Sequence, residues 1–267
     1  MKMEPKPLVA PFVCLFCASE NGFSTVEHIV PESLGNHFLV LPVGWVCDAC
    51  NALFSKFENL ALTKSILAIQ RCNLGVVTKK RKPSRAVWGG VELTAMPHFG
   101  RGLVSLDSAS KSAALKIDAD SVQLRVPIHD KSNKPISKLL LKMGVEAFEP
   151  LSIAATGHSS FALDDAKNHL LKGEGGVWPY FVLQGRSEPL GAVSVFAEHA
   201  EAKESAKEAG FDLFFHEVNG ELIFVFRYGE FLAATALTSR QTNWLEIMPR
   251  WEVRYLGCPR SFGHLRS

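Results

Sequence analysis

An α+β fold is predicted for this chain of 267 residues: a metal-stapled N-terminal module followed by a mainly antiparallel α+β domain. Three observations predict it. Two Cys-x-x-Cys pairs, Cys14/Cys17 and Cys47/Cys50, bracket one stretch near the start. Several later segments carry apolar residues at helical spacing, while others are rich in β-branched and aromatic residues and end in turn signals, Asn219-Gly220 above all. The length suits about two domains, drawn here as residues 1–78, a basic linker 79–85, and residues 86–267.

The cysteine pairs come first. A Cys-x-x-Cys turn lets two thiolates converge on one ion, and two such turns complete the tetrahedral sulfur shell of a closed structural zinc site. Two disulfides or four buried thiols would use the same residues. The paired spacing and the lack of a secretory signal favour zinc on Cys14, Cys17, Cys47 and Cys50. The gap from Cys17 to Cys47 exceeds the roughly 15–20 residues of a plain zinc ribbon, so the loop between them holds something more.

Within that loop, Phe23 to Val30 alternates apolar with polar or small residues and reads as a strand ended by Pro31. Glu27 and His28 then point to opposite faces. A histidine beside an acid is most often an ordinary surface residue. On a stapled turn ahead of Pro31-Glu32-Ser33-Leu34-Gly35-Asn36, it becomes a candidate site.

The succession Cys-x-x-Cys, Glu27-His28-Ile29-Val30-Pro31-Glu32-Ser33-Leu34-Gly35, then Cys-x-x-Cys-Asn51 and Phe54-Ser55-Lys56 resembles the HNH endonucleases, in the variant whose ββα-metal fold is tied by four cysteines. The resemblance spans about residues 12–60. It implies that His28 is the general base, that Glu27 and Asn51 hold a catalytic divalent ion, and that cleavage leaves 5′-phosphate and 3′-hydroxyl ends. Oxygen and amide ligands suit Mg²⁺ or Mn²⁺ there, whereas four thiolates select zinc. The family's middle asparagine, which steadies the histidine, has no counterpart in Leu41-Pro42-Val43-Gly44-Trp45; Asn36, His37 or a backbone carbonyl is left to orient the ring.

After the second pair, Asp48 reads as the cap of a helix with Leu53, Phe54, Phe57, Leu60 and Ala61 on one stripe. It breaks near Thr63, resumes to Cys72 and stops at Gly75. Asn51 lies in its first turn, where backbone N–H groups favour anions. Lys56 and Glu58 read first as solvated face residues, with Lys56 a candidate phosphate contact. Lys79, Lys80, Arg81 and Lys82 form the densest positive run, equally a phosphate-contacting strap or a solvated linker.

Beyond it, Ala86–Met96, Leu103–Leu106, Ala113–Ile117 and Val122–Val126 read as a meander. A helix starts at Ser132-Asn133-Lys134-Pro135 and is expected to stop at Pro150; Ser160 caps a second, ending at Gly173, with His169 read as a surface residue. Strands are expected at Trp178–Leu183, Ala192–Phe196, Phe211–Val218, Glu221–Arg227 and Phe231–Leu237, with a helix at Glu198–Ala209. The tail interleaves Trp244, Trp251 and Tyr255 with Arg250, Arg254, Arg260 and Arg266. That pattern suits base stacking, although a terminal strand with a basic face has the same composition.

The formal charge is only +2, so any attraction to phosphate is local. Cys72 reads as a buried small hydrophobe and Cys258 as a tail residue. No leader and no membrane-length apolar run is present, which points to a cytoplasmic protein without membrane contact. The reading that results is a metal-dependent HNH endonuclease hydrolysing phosphodiester bonds of nucleic acid, DNA first. The competing one is a non-catalytic zinc-stabilised module that docks on nucleic acid or protein. For residues 86–267, roles as target selector, homodimer interface or sensor follow only from their attachment to such a module.

Overall fold

In the computed structural model, the described residues are 9–78, 80–99, 102–108, 115–117, 122–124, 133–174, 176–183, 193–195 and 200–247. Two short strands, β1 (Glu27–His28) and β2 (Val40–Leu41), pair antiparallel, with Glu27 opposite Leu41 and His28 opposite Val40. The strand expected over Phe23–Val30 is therefore much shorter. Its first half is taken by Asp48, whose carboxylate accepts from the backbone N–H and hydroxyl of Ser24 and from the hydroxyl of Thr25. Asp48 is also not the cap of helix α1 (Asp48–Thr63); Cys47 occupies that position and Asp48 opens the first turn.

The expected break falls where it should. Ser65 caps α2 (Ile66–Asn73) by accepting from the Leu67 N–H, and Gly75 follows with φ +69°. The chain then makes a tight turn: Thr78 N–H donates to the Lys82 carbonyl, Arg81 N–H to the Thr78 carbonyl, and Val77 bridges Pro83. Next come β3 (Arg85–Trp88), β4 (Val91–Ala95) and β5 (Val104–Ser108), an antiparallel meander. Its inner face, with Ala86, Trp88, Val91, Leu93 and Ala95, packs on Ala68, Ile69 and Cys72 of α2. β6 (Leu115–Ile117) and β7 (Val122–Leu124) form a separate hairpin.

Helix α3 (Asn133–Thr156) runs straight through the expected stop at Pro150. Proline removes one backbone donor and crowds the preceding turn. Here the residues before it, Leu139 to Ala147, are buried, and Pro150 is buried with them, so tertiary packing carries the helix past the defect. Ser160 does not cap α4 (Asp164–Lys172); its N–H donates to the Ser152 hydroxyl on α3, and Asp164 and Asp165 supply the acidic first turn instead. Gly173 ends α4 as expected, with φ +67°.

β8 (Phe181–Leu183), β9 (Val193–Ser194), α5 (Ala200–Ala209), β10 (Phe211–Val218), β11 (Glu221–Tyr228), β12 (Phe231–Ala236) and α6 (Trp244–Ile247) complete the described chain. The five strands form one antiparallel sheet in the order β8-β12-β11-β10-β9. Asn219 and Gly220 both have positive φ, as a two-residue hairpin turn of this twist requires. One face of the sheet meets α3; on the other, Phe181, Phe214, Ile223, Val225 and Ala234 cluster with Trp244. Burial on both faces explains why β12 is buried throughout and apolar at every position but Thr235, whose hydroxyl donates to the Pro179 carbonyl.

Trp244 is thus core, edge-on to Phe181, and not a base-stacking side chain. Trp251, Tyr255, Arg250, Arg254, Arg260, Arg266 and Cys258 lie outside the described residues. One buried cluster runs from Cys14 through Phe54 and Leu139 to Phe224 and Leu237, so a single core continues on both sides of the basic turn. Among the described residues no helix is long and apolar enough to cross a membrane.

Gly144 sets how closely α3 approaches the sheet. A Cβ there would lie 2.7 Å from Leu237 Cδ2 and 3.0 Å from Phe224 Cγ. Gly144→Ala gains up to about 1 kcal/mol of helix propensity, but overpacking costs about 1–3 kcal/mol. The expected outcome is a lower urea midpoint for the full chain; an unchanged or higher midpoint would contradict this packing.

Candidate active site

Four sulfurs converge where the N-terminal loop meets the start of α1. The Sγ atoms of Cys14, Cys17, Cys47 and Cys50 all lie within 4.8 Å of one another, and none is in a disulfide. Cys17 and Cys47 are 3.6 Å apart. A tetrahedral zinc with bonds of about 2.3 Å needs sulfurs about 3.8 Å apart, so the donor set fits zinc. Backbone geometry supports it: Cys47 N–H donates to Cys14 Sγ, and Ala18, with φ +56°, closes the first turn on the Cys14 carbonyl. The sulfurs are unequal. A hydrogen bond from Cys50 pulls the Cys14 thiol down to about 4, and that same contact, with burial, pushes Cys50 up.

Beside the cluster, the loop before β1, β1 itself and one face of α1 enclose a cleft of about 710 Å³. Glu27, His28, Glu32, Asn51, Ser55, Glu58 and Asn59 are among its lining residues. Asn51, Ser55, Glu58 and Asn59 share a face because they recur at spacings of three and four on α1. Asn51 Nδ2 donates to the Thr25 hydroxyl at 3.1 Å, which leaves its Oδ1 as the atom able to meet a cation. His28 is half-buried. Its Nδ1 is buried without a hydrogen-bond partner, and its Nε2 lies 3.9 Å from Glu32 Oε2.

The other candidate residues fall elsewhere. Asn36 is fully buried and ties the loop between β1 and β2: Nδ2 donates to the carbonyls of Val30 and Leu39, and Oδ1 accepts from the N–H groups of Phe38 and Leu39. His37 is exposed and lines a separate groove with Leu74, Val76, Pro97 and Glu208. Neither side chain holds the His28 ring. Lys56 is exposed on α1 outside the cleft lining. Lys80, Arg81 and Lys82 are exposed on the tight turn; Lys79 lies outside the described residues. His169 is buried, not a surface residue, and burial pushes it down to about 4.

Glu27 brings a partner that local sequence does not announce. Its Oε1 accepts from Lys142 Nζ of α3 at 2.6 Å, and that ammonium, 0% exposed, also donates to Glu146 Oε2 at 2.9 Å and to the His28 carbonyl at 3.3 Å. Glu58 Oε1 is a fourth neighbour at 2.9 Å, in charge contact but without hydrogen-bond geometry, since three protons already have acceptors. Glu58 is thus not the solvated residue expected. Burial would push Lys142 down, but the carboxylates of Glu146, Glu27 and Glu58 hold it well above its ordinary value and keep it charged. Burial pushes Glu146 well up, against the pull of the Lys142 ammonium. The available signal was Lys142 and Glu146 four apart in a helix apolar on nearly every side.

A two-stranded hairpin and a helix pinned by four thiols, with an imidazole, carboxylates and an amide over one cleft, define a thiolate-stapled ββα module. Residues 14–67 match the model of the HNH endonuclease family, and this N-terminal region is an HNH domain with a four-cysteine cluster. No curated protein and no solved structure matches the chain.

Structural zinc contributes on the order of 10 kcal/mol or more of folding energy in zinc-finger peptides. Cys47→Ser is expected to lose stoichiometric zinc, measured by metal analysis of purified protein, and to expose residues 10–60 to proteolysis. A zinc-free variant as protease-resistant as the parent would contradict a structural role for the ion.

Proposed function

We propose that this protein is a metal-dependent endonuclease that hydrolyses phosphodiester bonds of nucleic acid, DNA in the first place. The observation that carries the reading is the meeting of Glu27, His28 and Asn51 on one cleft at the first turn of α1, beside the four-cysteine cluster. A bound Mg²⁺ or Mn²⁺ would supply Lewis-acid neutralisation of the charge that grows on the phosphate. Glu27 and the Asn51 amide oxygen are the ligands we assign to it. The oxygen-rich lining is the donor set such hard cations take.

His28 would take the proton of the attacking water. Nε2 is the nitrogen open to do so, because Nδ1 is buried. The Glu32 carboxylate beside Nε2 faces the ring as it gains charge. General-base catalysis of this kind contributes about 10²–10⁴-fold. The positive end of the α1 dipole lies at its first turn and would favour an approaching phosphate. Lys56, with Lys80, Arg81 and Lys82 of the exposed turn, are the cations proposed for flanking phosphates. A reducing compartment, the cytoplasm, suits four free thiols; residues 86–267 would choose the target or pair two copies.

One observation favours the rival, a module that binds nucleic acid or protein without cutting: Lys142 already engages the Glu27 carboxylate. Incubation with supercoiled plasmid and Mg²⁺ or Mn²⁺ separates the two. The parent is expected to nick the plasmid, and His28→Ala to lose at least about 100-fold in rate while keeping its zinc. No nicking by the parent, or equal loss of zinc and activity in the variant, would refute the assignment.

A further inference from the structure

Lys142 lies far outside the stretch that matches the family model, yet it makes the closest polar contact of Glu27. Its three protons go to the Glu27 carboxylate, the His28 carbonyl and the Glu146 carboxyl, so one ammonium grips both residues of β1, one by its side chain and the other by its backbone. Neither Asn36 nor His37 anchors the Glu27-His28 pair from the hairpin loop. We propose that Lys142 is a positioning residue: reaching in from α3, it fixes the Glu27 carboxylate and, through the backbone, the His28 ring at the mouth of the cation site.

This inference rests on the nuclease reading for the identity of the site. Its physical basis is separate. An ammonium so deeply buried is costly and persists only when well paired. Four partners, two of them on the residues assigned to the chemistry and a third, Glu58, on the cleft wall, are more than helix packing requires. Lys142 also keeps two cleft carboxylates, Glu27 and Glu58, near one positive charge. They are thereby held close together before a divalent ion arrives, instead of swinging apart by mutual repulsion. Groups that orient metal ligands in this way typically change metal affinity or activity by about 10–100-fold when removed.

The test measures Mn²⁺ binding to the zinc-loaded full chain by electron paramagnetic resonance of the free ion, alongside plasmid nicking. Two variants are needed, because Lys142→Met alone leaves Glu146 buried beside an apolar group. The double variant Lys142→Met/Glu146→Leu removes both buried groups together. In whichever variant keeps its zinc and unfolds cooperatively within a few degrees of the parent, Mn²⁺ is expected to bind about 10–100-fold more weakly. Nicking should need correspondingly more Mn²⁺ and recover at saturation.

Parent-like Mn²⁺ affinity in a zinc-loaded variant would overturn the proposal. So would unfolding of both variants, which would make Lys142 a residue of folding alone. A parent that binds no Mn²⁺ sinks the proposal and the nuclease reading together. A parent that binds Mn²⁺ with this lysine dependence but never nicks leaves the positioning role standing and removes only the nuclease.

Discussion

Four sulfur atoms confined within 4.8 Å are the constraint from which the N-terminal architecture follows. Two of them come from a loop with little regular structure and two from the start of α1, so an ion held by all four would tie the entry of the chain to a helix terminus. Once that junction is fixed, the segment between must fold back as a short hairpin. Asp48 then gathers Ser24 and Thr25, while Asn36 cross-links the hairpin loop to itself. The two strands are only two residues each, far too little ladder to stand alone. Their geometry is imposed from the ends.

The second fixture is electrostatic and comes from far along the chain. α3 packs on α1, where Lys138 lies over the Phe57 ring, and one turn further along this buried contact it delivers Lys142 to Glu27. Polar groups in such a place must be mutually satisfied or they cost several kcal/mol. The cluster is nearly complete: Glu146 Oε1 and Glu58 Oε1 lack a hydrogen bond, and the latter still lies 2.9 Å from the Lys142 ammonium. The small module and the larger α+β region therefore share a core, and α3 backs the cleft from outside its lining by holding Glu27 through Lys142.

What the sequence made legible is what short-range chemistry decides. Cysteine spacing indicated the cluster, the helix breaks at Thr63 and stops ahead of Gly75, and Asn219-Gly220 turns the hairpin. The pairing of His28 with Asn51 came from the resemblance to the HNH endonucleases, and both line the same cleft. The misses share a different cause. Pro150 and Ser160 carry strong local signals that burial and a bond to Ser152 overrule, and Asp48 was diverted from capping by partners 23 and 24 residues earlier. Lys142 and Glu27 are 115 residues apart, and nothing local in either segment names the other.

The central claim is that one ion holds the scaffold and a different one works in the cleft. Anomalous diffraction from crystals grown with zinc and Mn²⁺, collected at both absorption edges, tests it most directly. The account predicts a zinc peak at the centre of Cys14, Cys17, Cys47 and Cys50, with a separate manganese peak in coordination with the Glu27 carboxylate and Asn51 Oδ1. A manganese peak at any other place, or none while zinc fills the thiolate site, would contradict it.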